Sequence, residues 1–283
     1  MRAPTFSSTR ANGIELAQWD WAGAEGQPSI LFFHATGFHG RCWDQVIRHM
    51  DPNARATALD MRSHGRSQQI HPPMHWPDFA NDVAALGDTL GWKNAIGVGH
   101  SMGGYSVALA AAMRPGMFSA LVLLDPVIRA PDDYNGAWYE EHFARKRRRH
   151  WDSADEMFER FKGRGPFKAW DEQVLRDYCD YALNSEGDLA CPPEVEGSIY
   201  ENCTLPSANP YLLGLDRIEI PVVVVRSGIE FVPGSTVMEA SPTDPRLAGL
   251  WANSRDEHWS EVSHFVPMEA PGRVARLVGD TIP

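Results

Sequence analysis

The strongest constraint on the fold of this chain is a serine set among glycines. Gly99-His100-Ser101-Met102-Gly103-Gly104 follows a short apolar run at 95–98 and opens an alanine-rich stretch, 102–113, that stops at Pro115. A strand that turns directly into a helix is tight and strains the residue at its tip. Gly99 and Gly103 remove side chains that would collide there, which leaves the Ser101 hydroxyl exposed at the edge of a sheet. The new helix points its first amides, that of Met102 among them, toward any negative charge that develops beside the serine. The pattern reads as a nucleophile. The plainer reading is a serine that only caps the helix.

Around this element, short apolar runs alternate with amphipathic stretches, the pattern of a sheet flanked by helices. Strands are predicted at 14–21, 29–33, 56–60, 95–98 and 120–124. Helices are predicted at 42–50, at 102–113, and from Pro77 through Phe79, Val83, Leu86 and Leu90, with Gly91 as the stop. From Pro126 to about Leu215 the texture changes to aromatics, charges and scattered Pro and Gly, without clean buried strands. The alternation resumes with the β-branched run 221–225, a helix at 246–251, a strand near 258–262 and a last helix from Ala270 to about Val278. The expected architecture is therefore α/β. A mostly parallel twisted sheet formed by 1–125 and 216–283 is interrupted by a mostly helical insertion, 126–215.

At 283 residues the chain fits one such core with its insertion. Its formal net charge of -11 repels phosphate backbones and anionic headgroups, so neither nucleic acid nor a membrane surface is an expected partner. Four cysteines (Cys42, Cys179, Cys191, Cys203) form no CxxC pair and read as reduced thiols. No signal-peptide run and no membrane-length apolar segment is seen, which makes a cytoplasmic setting the expectation. No His/Cys cluster has metal spacing, and the glycines at 97 and 99 lead into the serine turn rather than a dinucleotide turn. Neither a metal nor a cofactor is expected.

Four segments together give the chain a resemblance to the α/β-hydrolase superfamily: 34–38 (His-Ala-Thr-Gly-Phe) with Trp43, the turn 60–67 (Asp-Met-Arg-Ser-His-Gly-Arg-Ser), the serine turn, and 264–271 (His-Phe-Val-Pro-Met-Glu-Ala-Pro). Two positions depart from the usual pattern: Ala35 stands where relatives carry glycine, and Ser63 replaces the third glycine of its motif. The resemblance implies an oxyanion hole built from the amides of Thr36 and Met102; the hydroxyl that Thr36 also carries is a further candidate donor. It also implies that His264, in Ser–acid–His order, is the general base for Ser101. Among eleven histidines, His34 and His64 read as loop-holding groups, and the His100 side chain as pointing away along the turn. His39, His71 and His75 are assigned no role.

The triad also needs a carboxylate, and two positions compete. Glu230, in the loop after the run 222–225, falls where relatives commonly carry an aspartate. Asp125, at the end of the strand 120–124, matches the site some members use instead. Asp244 and Glu239 are weaker alternatives. The insertion is expected to cap the site, with Trp138, Tyr139, Phe143, Trp151, Phe158, Phe161, Phe167 and Trp170 as packing groups or pocket walls. Its basic run, 145–150, reads as a solvated helical face or a contact in a homo-oligomer rather than a nucleic-acid patch. The function this implies is hydrolysis of a small-molecule carboxylic ester through an acyl-enzyme. Lactone, amide or carbon–carbon bond hydrolysis on the same residues, and a ligand receptor of the same fold, stand as alternatives. A dehalogenase would need an aspartate in place of Ser101.

Overall fold

The alternation of strand and helix in the sequence becomes alternation of layers in space. The computed structural model describes residues 3–136, 140–230 and 237–282. Eight strands form one sheet: β1 (Thr5–Ala11), β2 (Ile14–Trp21), β3 (Ser29–Phe33), β4 (Arg55–Leu59), β5 (Ala95–His100), β6 (Phe118–Leu124), β7 (Val222–Ser227) and β8 (Ser254–Trp259). Their order is β1-β2-β4-β3-β5-β6-β7-β8. The first two strands pair antiparallel with their neighbours, and from β4 onward every pairing is parallel.

The period of two along each strand divides the apolar residues between two faces. Leu31, Phe33, Leu121, Leu123, Val222 and Val224 pack beneath α2 (Trp76–Leu90) and α3 (Met102–Met113). Their neighbours in sequence, Ile30, Phe32, Val122, Leu124, Val223 and Val225, face α1 (Asp44–His49) and α8 (Pro271–Thr281). Because both faces are covered, the central strands are apolar throughout, as parallel strands must be. The helix α2 ends at Gly91, whose φ of 67° is the left-handed C-cap that glycine supplies most easily.

Four expectations need correction. The strand β1 carried no apolar signal, because its sequence TFSSTRA lies exposed along the sheet edge. It is held by a hairpin whose turn residues, Asn12 (φ 48°) and Gly13 (φ 79°), both take positive φ. The last strand begins four residues earlier than expected, at Ser254, since β8 is the other edge and its charged sequence SRDEHW hides it. The helix expected at 246–251 is a single 3-10 turn, Leu247–Leu250, squeezed between Pro245 and the start of β8. Likewise the helix expected at 42–50 opens as a 3-10 turn, Gly40–Trp43, before α1.

Between β6 and β7 lie α4 (Ala154–Phe161), α5 (Glu172–Tyr181), α6 (Pro193–Glu201) and several 3-10 turns. Trp151, Met157, Phe158, Trp170, Val174 and Tyr178 of this segment share an apolar cluster with Ala35, Phe38, Phe265 and Met268 of the core loops. Trp138 and Tyr139 lie outside the described residues. The basic run is not a helical face, because only Phe143–Lys146 makes a 3-10 turn. Its cations face carboxylates of the same chain instead: Arg145 pairs with Glu201, Arg147 with Glu196, Arg148 with Glu156, and Arg149 with Glu194.

The helix α3 lies against β3 closely enough that Gly103 cannot carry a side chain. A Cβ there would stand 2.1 Å from the Phe33 carbonyl oxygen, which is fixed in the sheet. Gly103→Ala is expected to lower the free energy of unfolding by about 3 kcal/mol or more, at the upper end of overpacking costs. A urea titration of both proteins checks it, and equal midpoints would show that β3 and α3 can separate.

Candidate active site

The sheet delivers Ser101 and Asp125 to adjacent places. In the parallel register His100 lies opposite Leu124, so the residues that follow leave β5 and β6 side by side at the carboxyl edge. Both take left-handed backbone, Ser101 at φ 56° and Asp125 at φ 46°. Such conformations cost about 1–3 kcal/mol each in a non-glycine residue and persist only where neighbours over-determine them. Here the neighbours are identifiable. The Ser101 amide donates to the Leu124 carbonyl (3.0 Å) and the Asp125 amide to that of Val225 (2.7 Å). The Ser101 carbonyl accepts from the amides of Tyr105 and Val127. Gly99 is needed for the same reason, since a Cβ there would lie 2.5 Å from the Gly103 oxygen.

His264 enters from the loop between β8 and α7 (Val266–Glu269). Its amide donates to the Glu239 carbonyl (2.8 Å), and its own carbonyl accepts from His100 Nε2 (2.7 Å). The ring then spans two partners. Nδ1 donates to Asp125 Oδ2 at 2.7 Å, and Nε2 accepts from the Ser101 hydroxyl at 2.9 Å. All three side chains are buried, Asp125 completely.

The Asp125 carboxylate is held by more than the imidazole. It accepts from the Ser227 amide (3.0 Å), the Ser227 hydroxyl (2.8 Å) and the Ser241 hydroxyl (2.5 Å), and the Thr243 hydroxyl beside it donates to the Pro126 carbonyl (2.7 Å). Burial alone would push this carboxyl up; the bonds from His264, Ser241 and Ser227 outweigh it and hold the group below the usual carboxylate range. These three hydroxyl residues escaped the sequence reading, and no motif marks them. Only their spacing, Ser227 closing β7 and Ser241 and Thr243 two apart, could have hinted at one oxygen-rich face.

The expectation that Glu230 meets His264 is corrected. Glu230 is exposed, bridges Ser241 through its backbone, and lines a separate cleft with Arg226, Asp244 and His258. The reason is steric and electrostatic together. Gly228 is pressed so tightly against Ser260 that a Cβ would stand 2.1 Å from its carbonyl oxygen. That close approach fixes the end of β7, whose Ser227 turns its amide and hydroxyl onto Asp125 instead. Of the weaker alternatives, Asp244 pairs with Arg246, and Glu239 offers His264 only its backbone.

Two histidines fasten the loop 34–37 beside the serine. His34 donates through Nδ1 to the Ala35 carbonyl and accepts the Met61 amide on Nε2. His64 donates to the Arg62 carbonyl and accepts the Gly37 amide (3.0 Å). Asp60 adds a third tie by accepting from the amides of Gly40 and Arg66. Ser63, in the place of a glycine, sits at φ 60°, and its hydroxyl bridges both backbone groups of Ile70. The Thr36 hydroxyl faces the Met102 sulfur at 3.5 Å. Among the described residues, neither the Thr36 nor the Met102 amide donates to a protein acceptor. Thr36, Ser101 and His264 open together on a cavity walled by Trp76, Val127, Tyr200 and Met238. Such an arrangement can activate a hydroxyl and receive a carbonyl compound. Among the described residues, no cluster of three or more His, Cys, Asp or Glu side chains could hold a metal ion, and no helix is long and apolar enough to cross a membrane.

A sequence model of the alpha/beta hydrolase family matches residues 30–277. The chain is 35% identical over 123 residues to the bifunctional esterase/perhydrolase DCH of Acinetobacter calcoaceticus, covering 43% of this chain and 41% of that protein. It is 39% identical over 108 residues to lipase LipV of Mycobacterium tuberculosis, covering 38% and 40%. The matched stretches thus span about two fifths of these relatives. In three dimensions it resembles the peroxisomal alpha-beta-hydrolase Lpx1 of Saccharomyces cerevisiae, with a TM-score of 0.76 at 17% identity over 100% of this chain and 89% of that one. That likeness is one of fold.

The buried histidines give the protein an acid limit. His39, stacked on Tyr178 and bonded to its carbonyl, is pushed down by burial from 6.5 to about 4. The unfolded chain therefore binds a proton here between pH 6.5 and 4 that the folded chain refuses, and stability falls as pH falls through that window. His39→Gln, which keeps a donor for the Tyr178 carbonyl, is expected to flatten the dependence by about 1.4 kcal/mol per pH unit within it. Unfolding free energies at pH 7, 6 and 5 check this, and identical slopes for both proteins would count against it.

Proposed function

The chain belongs to the alpha/beta hydrolase family, and we propose that within it the protein is a serine hydrolase that cleaves a small or medium carboxylic ester. The observation that carries this reading is the unbroken chain of bonds from Asp125 through His264 to the Ser101 hydroxyl, at the floor of a cavity. In the proposed reaction, His264 Nε2 takes the proton of Ser101 as its oxygen adds to the ester carbonyl. The oxyanion is received by the amides of Thr36 and Met102, each donor of this kind being worth about 3 kcal/mol of barrier. Collapse of the tetrahedral intermediate breaks the bond to the alcohol oxygen, which takes the proton from His264. Water then enters, gives a proton to His264 and adds to the acyl-enzyme, and the acid leaves as Ser101 recovers its proton.

Asp125 keeps its charge throughout and stabilises the imidazolium. Its depressed pKa supports that role, because a carboxylate that titrated near neutrality would desert the histidine when needed. In this reading 126–215 is a cap that shapes access to the cavity, a role supported by His142, Phe143, Tyr200 and Cys203 of that segment lying on its walls. Four buried free thiols support a reducing, cytoplasmic setting.

The test is turnover of a graded series of alkyl and aryl esters by four proteins. Ser101→Ala is expected to abolish the acyl-enzyme burst, and Asp125→Asn to lower kcat by about 10⁴-fold. Glu230→Gln should stay within about threefold of wild type, as expected for an exposed carboxylate remote from the reacting atoms. Burst and turnover persisting in Ser101→Ala would end the proposal. A Glu230→Gln defect as large as that of Asp125→Asn would reassign the acid.

A further inference from the structure

The three residues that follow Thr36 are each gripped by the inserted segment. Gly37 takes φ 80°, and its open side faces a charge pair: a Cβ built there would stand 3.0 Å from the Glu196 carboxyl group of α6 and 3.3 Å from the Arg147 guanidinium. Phe38 meets the Tyr178 ring of α5 edge-on, with centroids 5.4 Å apart. His39 stacks on the same ring and bonds to the Tyr178 carbonyl at 2.9 Å. One guanidinium joins these contacts. Half-buried Arg147 donates to Glu196 Oε2 (2.5 Å) and to the Tyr178 hydroxyl (2.9 Å), and both of those side chains are buried. The neighbouring cations tie the insertion to itself, since Arg145, Arg148 and Arg149 pair with Glu201, Glu156 and Glu194.

The core holds the same segment from its other side. The Ala35 carbonyl accepts the Phe38 amide (3.2 Å) and His34 Nδ1, and the Gly37 amide donates to His64 Nε2. These bonds engage the peptide groups on either side of the Thr36 Cα. An amide that is to receive an oxyanion is useful only in the right place, because a hydrogen bond weakens steeply with distance and angle. A misplacement of about 1 Å can cost on the order of 10²-fold in rate. Glycine beside the donor is the residue least able to keep that place unaided, since its backbone has the widest choice. A charge pair packed against Gly37 narrows the choice, and Glu196 is itself held there because its buried carboxylate needs the guanidinium.

We propose that Arg147 and Glu196, both of the inserted segment, are positioning residues for the Thr36 amide: packed against Gly37, they keep that amide where the oxyanion forms. The inference rests on the serine-hydrolase reading and adds a second task for 126–215, which then sets the geometry of transition-state binding as well as access to the cavity. Neither side chain touches the reacting atoms. Their effect passes through the Thr36–Gly37 backbone, so it falls on the step in which the carbonyl oxygen gains charge and not on the binding of the neutral ester.

The test uses 4-nitrophenyl acetate and butanoate, with active sites counted by labelling Ser101 to completion with a fluorophosphonate, so that unfolded protein is not counted. Glu196→Ala and Arg147→Met are expected to lower kcat per labelled site about tenfold to a hundredfold, with KM within about threefold of wild type. Glu196→Gln, which keeps the shape and an acceptor for Arg147, should recover most of that loss. The ketone 1,1,1-trifluorohexan-2-one gives an independent readout. Ser101 adds to its carbonyl carbon, the proton passes to His264, and the carbonyl oxygen becomes the alkoxide that the oxyanion hole receives. Its affinity should fall by the same factor as kcat/KM. Glu194→Gln, which breaks the Arg149 pair on the same helix, should stay within about twofold of wild type on every measure. Should Glu196→Ala and Arg147→Met fail to fold, Tyr178→Phe decides: removing the hydroxyl that Arg147 binds should lower kcat about fivefold. An unchanged kcat per site, an unchanged affinity for the ketone, or an equal loss in Glu194→Gln would overturn the proposal. If wild type neither cleaves the esters nor takes the label, the hydrolase reading is what has failed. The positioning is then read by hydrogen exchange in a peptide covering residues 35–40. Faster exchange in Glu196→Ala, with β5 unchanged, supports it, and equal rates refute it.

Discussion

The 2.7 Å bond from His264 Nδ1 to Asp125 Oδ2 is the interaction on which the rest of this structure depends. An imidazole can take a serine proton on one nitrogen only if something fixes the tautomer at the other and stabilises the cation that forms. A carboxylate does both, but it has to be buried beside the ring and kept ionised there. Burial alone argues for protonation. The chain resolves the conflict by surrounding Asp125 with donors drawn from three places in the sequence: Ser227 at the end of β7, Ser241, and His264 itself. The architecture of the carboxyl edge of the sheet can be read as the requirement that these donors converge.

That requirement also accounts for where strain is tolerated. Ser101 and Asp125 are neighbours across two parallel strands, and each leaves its strand in left-handed backbone. Positive φ at a strand end turns a side chain off the line of the strand and out over the sheet edge. One such turn presents a hydroxyl and the next presents a carboxylate, and the ring of His264 fits between them. The cost falls on the backbone at two points. It is met by amide bonds to Leu124 and Val225 and by the glycine contacts around Ser101, all of which belong to the rigid centre of the sheet. His100 supplies the complementary restraint by binding the backbone of His264 rather than its ring.

Much of this was legible in the sequence, and the exceptions have physical causes. The central strands, α2, α3 and the serine turn were readable because burial on both sides forces apolar composition, and because close approach forces glycine at 99 and 103. The two edge strands were missed or misplaced because edge positions are solvated and charged, so β1 and β8 carry no periodic signal. His264 was identifiable from its place between strand and helix. Its partner was not: Asp125 and Glu230 each end a strand or follow one, and the choice is made by which loop has room. That depends on the packing of Gly228 against Ser260, a contact between residues 32 positions apart that no local pattern records. The hydroxyls of Ser227, Ser241 and Thr243 were invisible for the same reason, since serine and threonine in loops are ordinary until the fold gathers them.

The loop beside the serine shows that core and insertion cannot be treated as separate devices. Gly37 is tied from below by His64, which accepts its amide. From above it meets the pair formed by half-buried Arg147 and buried Glu196, and a Cβ at Gly37 would stand 3.0 Å from the Glu196 carboxyl group. Arg147 also donates to the Tyr178 hydroxyl (2.9 Å), which joins α5 and α6 to the same point. Displacing the buried Glu196 carboxylate from its guanidinium partner would leave a charge poorly compensated inside the protein. The residues that hold the Thr36–Gly37 backbone in place therefore come from both halves of the chain, and any movement of 126–215 relative to the sheet has to pass through the segment that would receive the oxyanion. The position of the Thr36–Gly37 backbone and that of the inserted segment are mechanically linked in this fold, because Gly37 is held between a histidine of the core and an arginine–glutamate pair of the insertion.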